Sequence, residues 1–161
     1  IQIGSLGLVE FPKGWYVYCG SAKKNLTARV NRHLRIRKGI HWHLDYLRQI
    51  AKQAVGIPFR TQDEIEHSLS TDLSELADWK IDGFGCSDCD CDSHLYGFSE
   101  DPRKRQGFID FLLFWRIGRL AIQNKKNVPY KSHMLGFFTI SIIFITFFTL
   151  HFYFILVKLN I

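Results

Sequence analysis

The clearest hydrophobic pattern in the chain is an alternation along residues 14–19. Successive side chains of an extended segment point to opposite faces, so this alternation predicts a strand. A turn of small residues is expected at 20–22, directly after it. The two faces of the strand would carry Trp15, Val17 and Cys19 on one side and Tyr16, Tyr18 and Gly20 on the other.

Apolar residues then recur every four positions at Leu26, Val30 and Leu34, which predicts a helix over residues 24–38 with Asn25 as its N-cap. Similar patterns predict helices over 42–53, 62–78 and 107–123, an edge strand with a proline over 54–60, and a glycine- and cysteine-rich loop over 82–95. The fold class expected from these elements is α/β (α+β), with a small antiparallel sheet flanked by helices.

Residues 134–157 are different, because these 24 positions carry no Lys, Arg, Asp or Glu. A helix of this length can cross a bilayer, so the segment is a candidate transmembrane segment and membrane partner. The lysines of the basic linker within residues 106–133 would then keep the main domain cytoplasmic. The alternative is an out-of-frame tail, since hydropathy alone does not distinguish the two.

The net charge of +6 is unevenly distributed along the chain. Residues 23–38 hold seven Lys or Arg and no acid, whereas residues 62–101 hold twelve of the fifteen acids. A basic face beside an acidic segment fits a polyanion bound near carboxylates that hold a cation, although a solvated helix face has the same composition. The residues expected to contact nucleic acid on this basis are Lys23, Lys24, Arg32 and Arg35.

The four cysteines are too few and too clustered for a disulfide framework, which indicates a reducing compartment. Cys86, Cys89, Cys91 and His94 offer three thiols and one imidazole within nine residues. Such soft ligands suit tetrahedral Zn²⁺ in a structural site. The alternative is a compact loop of reduced cysteines that binds no metal.

Tyr18-Cys19-Gly20, followed by Leu26-x-x-Arg29-x-x-x-His33, resembles the second half of a GIY-YIG nuclease domain. The segments 14–22, 41–47 and 83–95 resemble a narrower branch of small GIY-YIG-like proteins, some of them fused to DNA-repair glycosylases. The resemblance implies a GIY-YIG-like domain over residues 1–105. It also implies that the first strand of the family, with one of its two tyrosines, would precede residue 1.

The resemblance further implies a metal-dependent endonuclease that acts on DNA, in a repair context. Arg29 would stabilise the charged transition state, and Tyr18 would position or deprotonate the water, directly or through His33. Glu66 would hold Mg²⁺ or Mn²⁺, with Glu64 as the rival position. His41 and His43 would contact phosphate or buttress the pocket, with Asp45 orienting one of them, and the late asparagine of the family has no counterpart here.

Two other functions are consistent with the same residues. A nucleic-acid-binding module could keep the basic helix without cleaving its ligand. A membrane-tethered structural protein would depend mainly on residues 134–157. The sequence leaves the oligomeric state open.

Overall fold

The computed structural model of the protein describes residues 1–22, 24–61, 66–87, 89–118 and 150–159. These residues form an α+β fold, which confirms the expected fold class. The strands are β1 (Gln2–Ile3), β2 (Gly7–Leu8), β3 (Gly14–Ala22), β4 (Gln53–Thr61), β5 (Trp79–Lys80), β6 (Leu95–Phe98) and β7 (Leu150–Leu159). The α-helices are α1 (Leu26–Leu34), α2 (His43–Ile50), α3 (Glu66–Leu76) and α4 (Gln106–Leu113), and a π-helical turn, Phe114–Gly118, follows α4.

The main sheet has five antiparallel strands in the order β4-β7-β3-β6-β5, and β1 and β2 form a separate two-stranded sheet. β3 is the predicted strand, extended by three residues. β4 lies at an edge of the sheet, as its proline predicted.

The two faces of β3 belong to two hydrophobic cores, as the alternation predicted. Tyr16 and Tyr18 lie in the core that also contains the apolar residues of α1 and α2. Val17 and Cys19 lie in the core that contains those of α3 and α4. The sheet is therefore covered by helices on both faces, and the two cores are separated by the strands themselves.

β7 corrects the expectation for the C-terminal segment. Residues 150–157, expected to be part of a membrane helix, instead form the strand that pairs with β3 on one side and β4 on the other. The apolar run is explained by position, because a strand between two neighbours and between two cores is buried on both faces. Ile155 and Val157 enter one core and Phe154 and Leu156 the other.

Residues 134–149 lie outside the described residues. Within the part of the chain that is described, no helix is long and apolar enough to cross a membrane.

Helix α1 is shorter than the predicted 24–38 at both ends. At its C-terminus the Lys38 ammonium donates hydrogen bonds to the carbonyls of Arg32 and His33, at 2.9 and 3.0 Å, and Arg48 Nε donates to the Leu34 carbonyl at 2.9 Å. These side chains satisfy the carbonyls that a continuing helix would otherwise have used. At the N-terminus Asn25 has a left-handed conformation (φ 53°) and makes no side-chain cap.

The other predicted helices are also shorter. The prediction over 42–53 corresponds to α2, that over 62–78 to α3, and that over 107–123 to α4 and its π-helical turn. Residues 62–65 and 119–123 lie outside the described residues, so Glu64 does as well.

Candidate tyrosine–histidine pocket and thiol loop

Two tyrosines from neighbouring strands face each other across Gly20. In the β3–β7 register Gly20 lies opposite Tyr153, and Tyr18 is two residues earlier on the same face of β3. The ring centroids of Tyr18 and Tyr153 are 6.5 Å apart. A Cβ atom at position 20 would come within 2.8 Å of the Tyr153 ring and 2.9 Å of the Tyr18 ring. Glycine at this position therefore makes room for both rings.

His33 of α1 closes the same group of side chains. Its Nε2 lies 2.9 Å from the Tyr153 hydroxyl, and its ring centroid lies 6.2 Å from that of Tyr18. The His33 side chain is only 1% exposed. Burial and the neighbouring cations, Lys38 first among them, lower the pKa of His33 to about 4. His33 is therefore neutral at physiological pH and can accept a hydrogen bond from Tyr153.

The Tyr153 hydroxyl also remains protonated at neutral pH. Burial raises the pKa of Tyr153 far above its usual value, while the charge of Arg29 acts in the opposite direction. Tyr16 points into the same core, where its hydroxyl donates to the Pro12 carbonyl at 2.6 Å. Tyr16 is thus a packing residue, whereas Tyr18, Tyr153 and His33 contact one another and form the group that we call the tyrosine–histidine pocket.

The Trp42 ring contacts two arginines of α1. The guanidinium carbon of Arg29 is 4.6 Å from the centroid of the Trp42 ring, and that of Arg32 is 4.2 Å away. These distances are within the range of cation–π attraction. The His33 ring is 5.1 Å from the Trp42 ring, so the same indole contacts the pocket. Trp42 therefore fixes the position of Arg29 next to His33.

Asp45 is a buried carboxylate that organises this part of the molecule. It is fully buried and accepts from Arg32 Nη1 at 3.1 Å, from Lys38 Nζ at 2.7 Å, and from the backbone N–H groups of His41 and Trp42. Burial alone would raise the pKa of Asp45, but these hydrogen bonds lower it to about 2. His33 Nδ1 lies 3.9 Å from the carboxylate.

This network bears on two expectations. Arg32 was expected to contact nucleic acid, and in the structure its guanidinium is held by Asp45 and by the Gly39 carbonyl. Asp45 was expected to orient the imidazole of His41 or His43, but it accepts from the backbone of His41 instead. A buried carboxylate needs partners, and Arg32 and Lys38 are the cations that supply them.

Glu66 is the first residue of α3. The apolar residues of α3 pack in the core on the face of the sheet opposite Tyr18 and Tyr153. The Glu66 side chain is half-buried, and its charge contributes to raising the pKa of both Tyr153 and Cys19. The charge of Glu66 therefore acts on the Tyr153 hydroxyl from the opposite face of the sheet.

The loop between β5 and β6, the thiol loop (81–94), brings together a group of potential metal ligands. The side-chain ligand atoms of Cys86, Cys89 and His94 all lie within 4.8 Å of one another. Cys89 Sγ is 3.0 Å from His94 Nε2, and Cys91 Sγ is 2.8 Å from Nδ1 of His67 on α3. Cys86, Cys89 and His94 could therefore hold a metal ion. Burial and the neighbouring thiols raise the pKa of Cys86 to about 12 and that of Cys91 to about 11.

The thiol loop also forms a wall of the tyrosine pocket. A Cβ atom at Gly85 would lie 3.0 Å from the Tyr18 ring, and the Phe84 ring packs on Tyr18 at 6.2 Å. The Gly85 N–H donates to His43 Nδ1 at 3.1 Å. His43 thus ties α2 to the thiol loop.

The remaining predicted contacts with nucleic acid lie at or beyond the ends of α1. Lys24, Arg35 and His41 are exposed, and the His41 ring packs edge-on against Trp42 at 4.4 Å. Lys23 lies outside the described residues.

Sequence reasoning missed Tyr153 and Trp42 as parts of the site. Tyr153 was hidden within an apolar run that fitted a membrane helix, and only its pairing opposite Gly20 identifies it. Trp42 had a clearer signal in the sequence. It lies directly between two histidines and thirteen positions after Arg29, and an aromatic ring near an arginine is a candidate for a cation–π contact.

A family model described as a domain of unknown function, DUF123, matches residues 1–113. The match covers more than half of the chain, so the chain belongs to this family. No curated protein and no solved structure matches the chain.

Proposed function

We propose that this member of the DUF123 family is a metal-dependent, endonuclease-like protein that hydrolyses DNA phosphodiester bonds, in a DNA-repair context. The observation that carries the proposal is the hydrogen bond between Tyr153 and His33 beside Tyr18, with Arg29 held next to them by Trp42. The resemblance of the Tyr18, Arg29 and His33 pattern to GIY-YIG nucleases agrees with this arrangement.

In the proposed reaction a water oxygen bonds to phosphorus, the ester P–O bond breaks, and the leaving oxygen takes up a proton. The water loses its proton through the hydrogen-bonded group around Tyr18 and His33, which passes it on to the leaving oxygen, so the group ends the step in the protonation state in which it began. When Tyr153 donates to neutral His33, its oxygen can accept a hydrogen bond from that water. The guanidinium of Arg29 stabilises the negative charge that develops on the phosphoryl oxygens.

A Mg²⁺ or Mn²⁺ ion can be held by a single protein carboxylate, because water molecules and the phosphate of the substrate supply the other oxygen ligands. We assign this role to Glu66, as the resemblance implies: it is a half-buried carboxylate at the first position of α3. When bound, the ion would polarise the phosphoryl group.

For the thiol loop we propose Zn²⁺. Two thiolates and one imidazole are soft donors that favour zinc over Mg²⁺ or Mn²⁺. The two metals would therefore occupy different donor sets, with the hard ion at Glu66 and the soft ion at Cys86, Cys89 and His94.

The test is cleavage of plasmid and branched DNA in the presence of Mg²⁺ or Mn²⁺. Arg29→Ala is expected to lower the rate by about 10²–10³-fold, the cost of losing one preorganised donor to the transition state. Glu66→Gln is expected to abolish the dependence of the rate on the metal. Glu75→Gln is the matched control, since Glu75 is an exposed carboxylate on the same helix.

A second function is favoured by the exposed cations Lys24 and Arg35 at the two ends of α1, which suit phosphate contacts whether or not cleavage occurs. DNA binding that weakens steeply with salt, with no cleavage under any metal, would identify a binding module and refute the nuclease proposal.

A further inference from the structure

The segment between α1 and α2, the basic loop (35–42), carries two isoleucines at the protein surface. Ile36 is 54% exposed and Ile40 is 40% exposed. Arg35 and Arg37, on either side of Ile36, are exposed as well. Isolated exposed apolar residues are ordinary, but two within five positions of one loop, among cations, are a local feature of the surface. Neither isoleucine belongs to the two hydrophobic cores, so packing of these cores does not explain them.

The backbone of the basic loop is fixed by the buried carboxylate of Asp45. The N–H groups of His41 and Trp42 donate to Asp45 Oδ2 at 2.9 and 3.0 Å. Arg32 joins the same carboxylate to the Gly39 carbonyl, to which its Nη2 donates at 3.0 Å. A loop that is already held in this way loses little conformational freedom when its exposed side chains bind a partner.

The basic loop is also complementary in charge to a polyanion. No Asp or Glu occurs in the sequence between Glu10 and Asp45, and Asp45 is buried and paired. Within the described part of the chain, neither Arg35 nor Arg37 forms an ion pair. Exposed guanidinium groups beside apolar side chains suit a ligand that presents both phosphates and flat apolar surfaces, and DNA presents both.

The basic loop is continuous with the proposed phosphodiester site. It ends at Trp42, whose ring contacts the guanidinium of Arg29 and the ring of His33. A DNA strand with a phosphate at Arg29 would therefore pass close to the loop. This continuity favours DNA over an anionic membrane surface as the partner of the two isoleucines.

We infer that Ile36 and Ile40 form an apolar wedge that enters a step between DNA base pairs, while Arg35 and Arg37 contact the flanking phosphates. Apolar side chains used in this way partly unstack the step and kink the duplex. Unstacking costs least where pairing or stacking is already interrupted. The preferred substrates are therefore DNA molecules with a nick, a mismatch or a branch. The inference rests on DNA as the ligand proposed above, but not on cleavage.

Fluorescence of 2-aminopurine placed beside a nick tests the wedge, because this base becomes brighter when it is unstacked. The whole chain is mixed with nicked or continuous duplex, with Ca²⁺ in place of Mg²⁺, so that binding is measured apart from cleavage. We expect the natural chain to raise the fluorescence of the nicked duplex and the double variant Ile36→Ala, Ile40→Ala to lose this rise. The double variant should bind the nicked duplex roughly 10–100-fold more weakly, the loss expected from the apolar groups removed.

Ile50→Ala is the matched control for the double variant. Ile50 is an isoleucine with 41% exposure, at the end of α2 away from the basic loop. Its replacement should change neither the fluorescence nor the affinity. Arg35→Ala and Arg37→Ala separate charge from insertion: each should weaken binding to nicked and continuous duplex alike and lower the salt slope by about 1.

Three results would overturn the inference. The first is equal affinity of the double variant and the natural chain for the nicked duplex. The second is an unchanged 2-aminopurine signal in the bound complex of the double variant. The third is binding to vesicles of phosphatidylserine and phosphatidylcholine that the double variant loses while its DNA binding is unaltered, which would assign the isoleucines to a membrane surface.

The wedge and the proposed nuclease activity can fail separately. Unstacking of the nicked duplex without cleavage under any metal would support the wedge and refute the nuclease. Cleavage by the double variant with the affinity and fluorescence of the natural chain would support the nuclease and overturn the wedge. Absence of any DNA binding would refute both.

Discussion

The tyrosine–histidine pocket and the thiol loop are built in opposite ways. The pocket joins residues that are 120 positions apart, His33 and Tyr153, and buries both. The thiol loop collects its ligands within nine residues, and its three cysteines are only partly buried. A pocket made by long-range pairing depends on the sheet and its cores, whereas a local cluster depends on its backbone turns and, in the function proposed above, on a metal. The two should therefore respond to different perturbations.

The largest expected effect comes from breaking the long-range pairing. Phe154→Ala removes a fully buried side chain from the middle of β7 and should cost about 3–5 kcal/mol of the free energy of unfolding. Leu113→Ala, an exposed leucine on α4, should change it by less than about 0.5 kcal/mol. Urea denaturation monitored by circular dichroism measures both. Equal, small effects would mean that β7 is not part of the folded core.

The next effect is a dependence of stability on pH. His33 has a pKa of about 4 in the folded protein against an ordinary value of 6.5, so the unfolded chain takes up its proton first as the pH falls. The stabilisation is complete above pH 6.5 and decreases between pH 6.5 and 4, by on the order of 3 kcal/mol. Asp45, with a pKa of about 2 against 3.8, adds a further loss below pH 3.8.

The control for this effect is His33→Gln, since the pKa of His43 is also lowered and acts in the same direction. Denaturant midpoints measured from pH 7 to 4 should fall less steeply for the variant than for the natural chain. Parallel curves for the two proteins would show that His33 is not buried in its neutral form.

A smaller effect is expected where the two tyrosine rings meet. In Gly20→Ala the new methyl group would press on both Tyr18 and Tyr153, and such overpacking typically costs about 1–3 kcal/mol. Gly39→Ala is the matched control, because nothing lies within 4 Å of a Cβ there. That substitution should be neutral or stabilising by about 0.4–1 kcal/mol. Thermal unfolding of the two variants separates the cases, and equal stabilities would contradict the close approach at Gly20.

The smallest effect is the loss of one hydroxyl. Tyr153→Phe leaves the ring in place but removes the hydrogen-bond partner of His33 Nε2, which should cost about 1 kcal/mol. The zinc affinity of the thiol loop should be unchanged, because the hydroxyl does not contact the loop ligands in the proposed site. NMR of the His33 ring should show an altered tautomer balance, and an unaltered ring spectrum would contradict the hydrogen bond.

The same contrast explains what the sequence could predict. Local patterns determined β3, the edge position of β4, and the convergence of Cys86, Cys89 and His94, because alternation, a proline and close spacing act over a few residues. The position of β7 could not be inferred in this way. An apolar strand buried on both faces and an apolar helix in a membrane have similar composition, and the choice depends on partners far away in sequence.

The contact between Arg32 and Asp45 could not be predicted for a related reason. The fully buried carboxylate of Asp45, thirteen residues later, needs compensation, and Arg32 supplies part of it. Helical periodicity gives the direction of a side chain but not the presence of a buried charge nearby.

The central position of β7 also has a consequence for synthesis of the protein. β7 lies between β3 and β4 in the sheet. Before β7 is made, each of these two strands would present an unpaired edge and an uncovered apolar face. Because β7 follows every other described element, these surfaces stay open while the ribosome translates the intervening residues, for several seconds at about 5–20 residues per second. Nascent chains of this protein should therefore depend on chaperones until residues 150–159 emerge from the exit tunnel.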